Sequence, residues 1–214
     1  MRNTQAEPKL DATDRAILAE LQHAGRLSNL ELAQRFTVVA VDLRGYGDSG
    51  KPATDERHAP YSKREMAKDP VAAMRALGFE RFLLAGHDRG GRVAHRLAMD
   101  HAGAVEKIAV LDISPTLAMY EQTDMAFARA YWHWFFLPQP HPFPETVIGA
   151  DPEYFFFRGG GERLYGDEAL ADYRAATRRP SVIHAMCEDY RAGATYDRAA
   201  DEAAIRAVEA AYDR

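Results

Sequence analysis

Cysteine is nearly absent from this sequence of 214 residues, in which Cys187 is the single thiol. One cysteine excludes an internal disulfide and a cysteine metal cluster, so a reducing cytoplasm is the expected compartment. Long apolar runs are also lacking, and the polar N-terminus, MRNTQAEPKLDATDR, has no apolar signal core. We therefore expect a cytoplasmic protein with no membrane-spanning segment.

Positive charge is scarce, since 27 Lys and Arg residues against 32 Asp and Glu residues leave a net charge of −5. This balance argues against broad nucleic-acid binding. The eight histidines show no metal-ligand spacing, so we expect no metal and no other cofactor. The hydrophobic content of 47% is ordinary for a globular protein of one or two domains with a sizeable core.

What the sequence does contain is a glycine-flanked turn within the stretch FLLAGHDRGGR, residues 82–92. A short apolar run leads into the pattern G-x-Asp88-x-G, and a helix is expected to start at about Gly90. Such a turn lifts its central side chain into a site and aims the next backbone N–H, that of Arg89, at a developing oxyanion. A carboxylate there suits displacement at saturated carbon through an ester. The competing interpretation is an ordinary turn with a capping aspartate, and the flanking strands favour the nucleophile.

Strand and helix signals alternate from residue 37 onward. Runs of aliphatic and β-branched residues predict three strands, at Thr37–Asp42, Phe82–Ala85 and Lys107–Leu111. An amphipathic run predicts a helix at Tyr61–Leu77. This alternation is typical of an α/β fold, in which crossover helices connect a parallel sheet. After Asp112 the pattern is helical and aromatic-rich to about residue 196, and a charged helix follows.

The first 36 residues follow a different pattern. Two amphipathic helices are predicted between Leu10 and Arg35, and their sequence, LDATDRAILAELQHAGRLSNLELAQRF, resembles the start of the helix-turn-helix domain of Lrp/AsnC transcription regulators. In that family a recognition helix follows, whereas here the Thr37–Asp42 strand is expected. We therefore expect an incomplete N-terminal segment at 1–36 that does not bind DNA, followed by a second domain at 37–214.

Three motifs of the second domain resemble the α/β-hydrolase superfamily: residues 42–49 (DLRGYGDS), 86–92 (GHDRGGR) and 110–116 (VLDISPT). Within that superfamily, the two arginines after the nucleophile and the segment YWHWFFL at 131–137 resemble the haloacetate (fluoroacetate) dehalogenases. The resemblance covers about residues 32–200. It implies an α/β-hydrolase sheet, here truncated at both ends, with a helical cap over about residues 114–196.

The resemblance also implies a reaction. The nucleophile would displace halide from a 2-haloacid and form a covalent ester, which is then hydrolysed. The implied nucleophile is Asp88, and the implied acid of the catalytic group is Asp112. Arg89 and Arg92 would bind the substrate carboxylate. The halide would be bound by His133, Trp134 and Tyr190. The implied partners are the small acid and, because family members are often dimers, a second copy of the chain.

Two departures from the family limit this expectation. The catalytic histidine should follow the last strand, but no histidine follows His184, and regulator-like helices stand where the first strands should be. We therefore expect exposed strand edges, exposed apolar strand faces and poor turnover. An epoxide-hydrolase-like enzyme, a DNA-binding fusion and an inactive fragment stay open as alternatives. Two arginines suit a charged acid better than a neutral epoxide.

Overall fold

A computed structural model describes residues 36–212 of the chain. The chain divides into two units at Val41 and Asp42, and each is described by itself. The two helices predicted between Leu10 and Arg35, with their resemblance to a helix-turn-helix domain, lie outside the described residues. Residues 36–41 of the first unit carry no helix or strand.

The second unit contains two parallel strands, β1 (Phe82–His87) and β2 (Val105–Leu111). Their register pairs Leu83 with Lys107 at one end and His87 with Leu111 at the other. A helix connects the two strands, as a parallel pair requires, because a tight turn cannot bring the chain back to the same end of a sheet. The two predicted strands and their parallel arrangement are therefore confirmed.

The third predicted strand, Thr37–Asp42, is wrong. Residues 36–43 form no strand, although the run TVVAVD is rich in β-branched residues. A strand exists only where a neighbour completes its ladder of hydrogen bonds, and among the described residues only β1 and β2 pair. Composition predicts an extended conformation, but it does not supply the partner.

Helices make up most of the remaining described residues. The first starts after Ser62, whose hydroxyl accepts a hydrogen bond from the backbone N–H of Glu65, as predicted for an N-cap. The helices are α1 Lys63–Ala76, α2 Arg89–Asp100, α3 Thr116–Glu121, α4 Met125–Ala130, α5 His133–Phe136, α6 Phe143–Ala150, α7 Pro152–Phe157, α8 Asp167–Thr177, α9 Pro180–Ala192 and α10 Arg198–Tyr212. Short 3₁₀ turns lie at Ala59–Tyr61, Ala102–Ala104 and Gly161–Leu164, and a π-helical turn, Gly193–Asp197, joins α9 to α10. Between residues 36 and 212, no helix is both long and apolar enough to span a bilayer.

Helix α9 contributes to two hydrophobic cores. In the first, Ala185 packs in a cluster with Met66 of α1 and Leu97 of α2. In the second, Cys187 packs with Trp134 of α5 and with side chains of α3, α6 and α7. Helix α9 therefore joins the region around the two strands to the helices that follow β2.

Several apolar strand residues face solvent. Leu83 of β1 and Ile108 and Val110 of β2 are each between 41% and 47% exposed. In a parallel sheet that is covered on both faces, such positions are buried. These exposures agree with the exposed strand faces expected from the sequence.

The turn between β1 and α2 depends on glycine at position 86. A Cβ at Gly86 would lie 2.4 Å from the backbone oxygen of Gly90, which is too close for two unbonded atoms. At Gly90 itself, a Cβ would meet nothing within 4 Å. The two glycines are close in sequence, but only the first is required by close packing.

We expect Gly86→Ala to lower the free energy of unfolding by more than about 2 kcal/mol, because the backbone of the turn has to move apart. Gly90→Ala is the matched control and should be neutral or stabilising by about 0.5–1 kcal/mol, since alanine favours a helix over glycine. Urea unfolding followed by circular dichroism measures both variants. Equal effects of the two substitutions would contradict the geometry of the turn.

Candidate active site

Asp88 occupies a strained position between β1 and α2. Its backbone angles are φ 47° and ψ −117°, a combination that non-glycine residues rarely adopt and that is typical of functional turns. The Asp88 N–H donates to the carbonyl of Leu111 at 3.2 Å, and the Asp88 carbonyl accepts from the N–H of Arg92 at 3.2 Å. These bonds hold the turn while the side chain stays exposed. The backbone N–H of Arg89, at the first position of α2, has no acceptor within the helix and is available for an oxyanion.

Arg89 uses one edge of its guanidinium to bind a carboxylate of the protein itself. Its Nε donates to Oδ2 of Asp189 at 2.7 Å, and its Nη2 lies 2.6 Å from Oδ1 of the same residue. Nη2 also donates to the Asp189 carbonyl at 3.1 Å. Among the described residues only Nη1 of Arg89 is left without an acceptor. The edge of the guanidinium that could bind both oxygens of a substrate carboxylate is therefore occupied by Asp189.

Asp189 lies on α9 and is fully buried, with 0% of its surface exposed. Besides Arg89, it accepts hydrogen bonds from the ammonium of Lys63 and, at 2.7 Å, from the hydroxyl of Tyr46. Four donors thus fill the acceptor capacity of one carboxylate. Burial opposes ionisation, but Arg89 and Lys63 outweigh it and hold the pKa of Asp189 well below its usual range. The carboxylate is therefore ionised at neutral pH and joins α9, α1, α2 and the loop that carries Tyr46.

Arg92 is the second buried guanidinium, with 5% of its surface exposed. Its Nη1 donates to the Ser114 carbonyl and to the Thr116 hydroxyl, both at 2.9 Å, and its Nη2 contacts the sulfur of Met119 at 3.0 Å. Its Nε is buried and has no hydrogen-bond partner among residues 36–212. Among the described residues no carboxylate forms an ion pair with Arg92. Burial and the charge of Arg89 lower the pKa of Arg92, as expected for a cation without a counterion.

An aromatic wall, formed by His133, Trp134 and Tyr190, covers the two arginines. The Arg92 guanidinium carbon lies 4.6 Å from the ring centre of Trp134, and that of Arg89 lies 4.0 Å from the ring centre of Tyr190. The Tyr190 ring is also 6.0 Å from His133 and 6.3 Å from Trp134. The structure therefore brings together the five residues predicted to bind the carboxylate and the halide.

The electrostatics of the wall favour neutral donors. Burial lowers the pKa of His133 more than the nearby Asp88 carboxylate raises it, so the imidazole is neutral at pH 7. Burial likewise raises the pKa of the Tyr190 hydroxyl, which keeps its proton. A neutral imidazole, an indole and a phenol each carry one N–H or O–H donor.

Asp112 stands apart from this group. It follows β2 with a positive φ of 54°, and 90% of its side chain is exposed. Its Oδ2 lies 3.8 Å from Nε2 of His87, which is itself exposed. The role predicted for Asp112, orienting a catalytic histidine, stays a prediction.

A cavity of about 120 Å³ also borders Arg92. Its walls include Lys63, Ser114 and Thr116. Within the described part of the chain, neither Asp88 nor the aromatic wall lines it. It is therefore a space separate from the nucleophile, and we do not assign it to the substrate.

Sequence reasoning missed Asp189, Lys63 and Tyr46. Asp189 directly precedes the predicted halide ligand Tyr190, and Tyr46 lies in the glycine-rich motif at 42–49. The available signal was three charged residues among positions 188–191 of α9, a pattern typical of a solvated helix face. That face is buried in the folded chain, where Asp189 contacts Lys63 of α1 and Arg89 of α2.

The chain belongs to the α/β-hydrolase family, because residues 20–156 match the family model described as alpha/beta hydrolase fold. This match and the observed β1–α2–β2 unit confirm the fold predicted from the sequence. The match begins at residue 20, within the segment 1–36 that was predicted to be a separate domain, and that boundary stays a prediction.

Relatives of the chain include a dehalogenase and an epoxide hydrolase. The chain is 55% identical over 172 residues to the fluoroacetate dehalogenase of Burkholderia sp, covering 78% of the chain and 57% of the relative. It is 31% identical over 174 residues to the soluble epoxide hydrolase of Corynebacterium sp. (strain C12), covering 78% and 59%. The solved structure of ALR0039, an alpha/beta hydrolase from Nostoc sp PCC 7120, is 55% identical with a TM-score of 0.78, covering 81% of the chain and 62% of that protein. The chain thus spans less than two thirds of the length of each.

Removing the charge of Asp189 should destabilise the folded chain. We expect Asp189→Asn to lower the free energy of unfolding by about 3–5 kcal/mol, because Arg89 and Lys63 would be left as buried charges without their shared partner. Asp48→Asn is the matched control: the Asp48–Arg179 pair lies at the surface, with 94% of the Asp48 side chain exposed. That variant should show no measurable change in urea unfolding. A similarly small effect at position 189 would contradict the assigned role.

Lowering the pH should destabilise the folded protein through protonation of the Asp189 carboxylate. Because the pKa of Asp189 is lowered by folding, its stabilising effect is complete above the unfolded-state pKa of about 4 and is lost as the pH falls below it. We expect the free energy of unfolding of the wild type to fall more steeply between about pH 5 and pH 3 than that of Asp189→Asn. Glu145 keeps part of the slope in both proteins, since Arg191 and His184 overcome burial and lower its pKa to about 2. Parallel pH profiles of the two proteins would refute this assignment.

Proposed function

We propose that this chain reacts with 2-haloacids such as fluoroacetate and chloroacetate, and that Asp88 forms a covalent ester with them. The observation that carries the proposal is the buried guanidinium of Arg92, whose Nε has no partner and which forms no ion pair with a carboxylate among the described residues. A buried cation without a counterion is costly. A small acid that supplies its own carboxylate beside the nucleophile would remove that cost.

The first chemical step is a displacement. A carboxylate oxygen of Asp88 attacks the carbon that bears the halogen, a carbon–oxygen bond forms, and the carbon–halogen bond breaks with its electron pair leaving as halide. No proton is transferred in this step. The product is an ester between Asp88 and the α-carbon of the acid, together with one halide ion.

Two arginines would divide the binding of the acid between them. The thioether of Met119 is a weak acceptor, so a carboxylate can replace it at Nη2 of Arg92 and also satisfy Nε. Nη1 of Arg89 would add a second positive contact, with its orientation already set by Asp189. A planar guanidinium suits this role because it matches both oxygens of a carboxylate.

The halide would leave toward neutral donors. His133, the indole of Trp134 and the hydroxyl of Tyr190 carry polar hydrogens without a negative charge, and their rings lie together on the aromatic wall. Donors that are already in position stabilise charge as it develops on the leaving group. These assignments follow the family resemblance and are supported by that proximity.

The second step requires a water molecule to attack the ester carbonyl, with the N–H of Arg89 facing the resulting oxyanion. A histidine oriented by an acid would activate that water, a contribution of about 10²–10⁴-fold in rate. We assign this role to no residue between 36 and 212, and the chain covers 57% of the dehalogenase it resembles. For this chain the proposal is therefore confined to ester formation, and turnover is expected to be slow.

A neutral epoxide fits the site less well. The relative at 31% identity is an epoxide hydrolase, and the aspartate nucleophile would serve that reaction too. An epoxide, however, offers no negative charge to Arg92. A cytoplasmic location and a homodimer, expected from the single cysteine and the family resemblance, stay predictions.

Intact-mass spectrometry tests the proposal directly. Incubation of the purified chain with chloroacetate should add the mass of one carboxymethyl group and release one equivalent of chloride. Asp88→Asn should show neither change, since an amide is a poor nucleophile. A wild-type chain that gains no adduct and releases no halide would overturn the proposal. Continuous halide release without an adduct would show that the ester is hydrolysed, contrary to the expected slow second step.

The proposed role of Arg92 in binding the acid is tested by the rate of adduct formation. Arg92→Met should slow the reaction with chloroacetate about 10–100-fold, because charged hydrogen bonds are worth about 1.5–3 kcal/mol. Arg178→Met is the matched control, since Arg178 is exposed and pairs with the partly exposed Glu153, and it should react like the wild type. Faster labelling by a neutral epoxide than by chloroacetate would favour the epoxide-hydrolase alternative.

A further inference from the structure

A cluster of two histidines and one glutamate lies outside the candidate active site. His141 precedes α6, Glu145 lies in the first turn of α6, and His184 lies on α9. Nδ1 of His141 is 3.2 Å and Nδ1 of His184 is 3.0 Å from the same oxygen, Oε1 of Glu145. We propose that these three side chains bind a divalent transition-metal ion such as Zn²⁺.

The distances suit a small ion. Zinc bonds of about 2.0–2.2 Å in a tetrahedral arrangement place neighbouring ligand atoms about 3.3 Å apart. The two nitrogen–oxygen distances are close to this value, and all three ligand atoms lie within 4.8 Å of one another. The side chain of His141 is 63% exposed, so a small adjustment of its ring meets little steric resistance.

The kind of ligand selects the metal. Two imidazole nitrogens and one carboxylate oxygen suit zinc, copper, nickel or cobalt, whereas calcium and magnesium prefer oxygen ligands alone. Three protein ligands leave at least one position for water, which the exposed His141 side allows. Cys187 does not belong to the group, whose ligand atoms come from His141, Glu145 and His184.

The neighbouring charges permit a cation, although one of them is positive. Arg191 donates to Oε1 of Glu145 at 2.7 Å and to Oε2 at 3.0 Å. The same guanidinium also binds Oε1 of Glu188 at 2.7 Å. Two carboxylates therefore share one arginine, and the group keeps a net negative charge when the histidines are neutral. A ligand carboxylate that also accepts a hydrogen bond from a fixed donor is the usual arrangement around a protein-bound metal.

Such an ion would fasten α6 to α9. The two helices already meet through Glu145 and Arg191, and α9 also carries Asp189 and Tyr190. Spacing along the sequence did not predict the site, because His184 is distant in sequence and is brought close only by folding. The site is separate from the nucleophile, so the metal-binding proposal does not depend on the proposed dehalogenase chemistry.

Isothermal titration of the tag-free, metal-free chain with ZnCl₂ at pH 7.5 tests the site. The wild type should bind one ion, and His141→Gln and His184→Gln should each weaken binding at least tenfold. His95→Gln, at an exposed histidine of α2, is the matched control and should bind like the wild type. Absence of saturable binding in the wild type, or equal affinities in all four proteins, would overturn the proposal.

Thermal unfolding gives a second measurement. A ligand that binds only the folded chain raises its melting temperature, so zinc should raise the midpoint of the wild type and of His95→Gln but not of His141→Gln. His141 is exposed, and without metal its substitution should leave the midpoint unchanged. An equal zinc-induced shift in His141→Gln and the wild type would show that the ion binds elsewhere.

Discussion

The buried carboxylate of Asp189 is the interaction on which the described structure depends most. It is fully enclosed, yet it accepts hydrogen bonds from Arg89, Lys63 and Tyr46, which come from three different segments. Burying a charge is favourable only when its partners are complete, so these segments have to meet at one point. Helix α9, which carries Asp189, also contributes to both hydrophobic cores. Packing and electrostatics therefore place the same helix against the nucleophile turn.

This arrangement explains why two similar arginines differ in their surroundings. Arg89 has its charge matched by Asp189, and it is held in place against the face of Tyr190. Arg92, one helical turn later, has neutral partners on Nη1 and Nη2, and its Nε has none in the part of the chain that the structure describes. Asp189 neutralises the charge of Arg89, whereas no carboxylate among the described residues neutralises that of Arg92. In our account the protein orients the site through Arg89 and binds the acid mainly through Arg92.

The sequence predicted the local elements well and their partners less well. The strands β1 and β2, the turn at Asp88 and α2 follow from apolar runs, a glycine-flanked turn and helical periodicity, all of which are local signals. The strand at Thr37–Asp42 failed because pairing depends on a neighbour that composition does not reveal. The ion pair of Arg89 with Asp189 spans 100 residues, and a charged residue in a helix looks exposed until packing buries it. The site residues came from the family resemblance, and the geometry adds which of them are already engaged.

The most direct test of the central claim is a crystal structure of Asp88→Asn with fluoroacetate, since the variant can bind the acid but should not react with it. Our account predicts a carboxylate oxygen about 2.7–2.9 Å from Nε or Nη2 of Arg92, with the halogen-bearing carbon facing residue 88. It also predicts that Arg89 keeps its contacts with Asp189. An acid bound away from Arg92, or an Arg92 Nε that stays without a partner in the presence of saturating acid, would contradict the account.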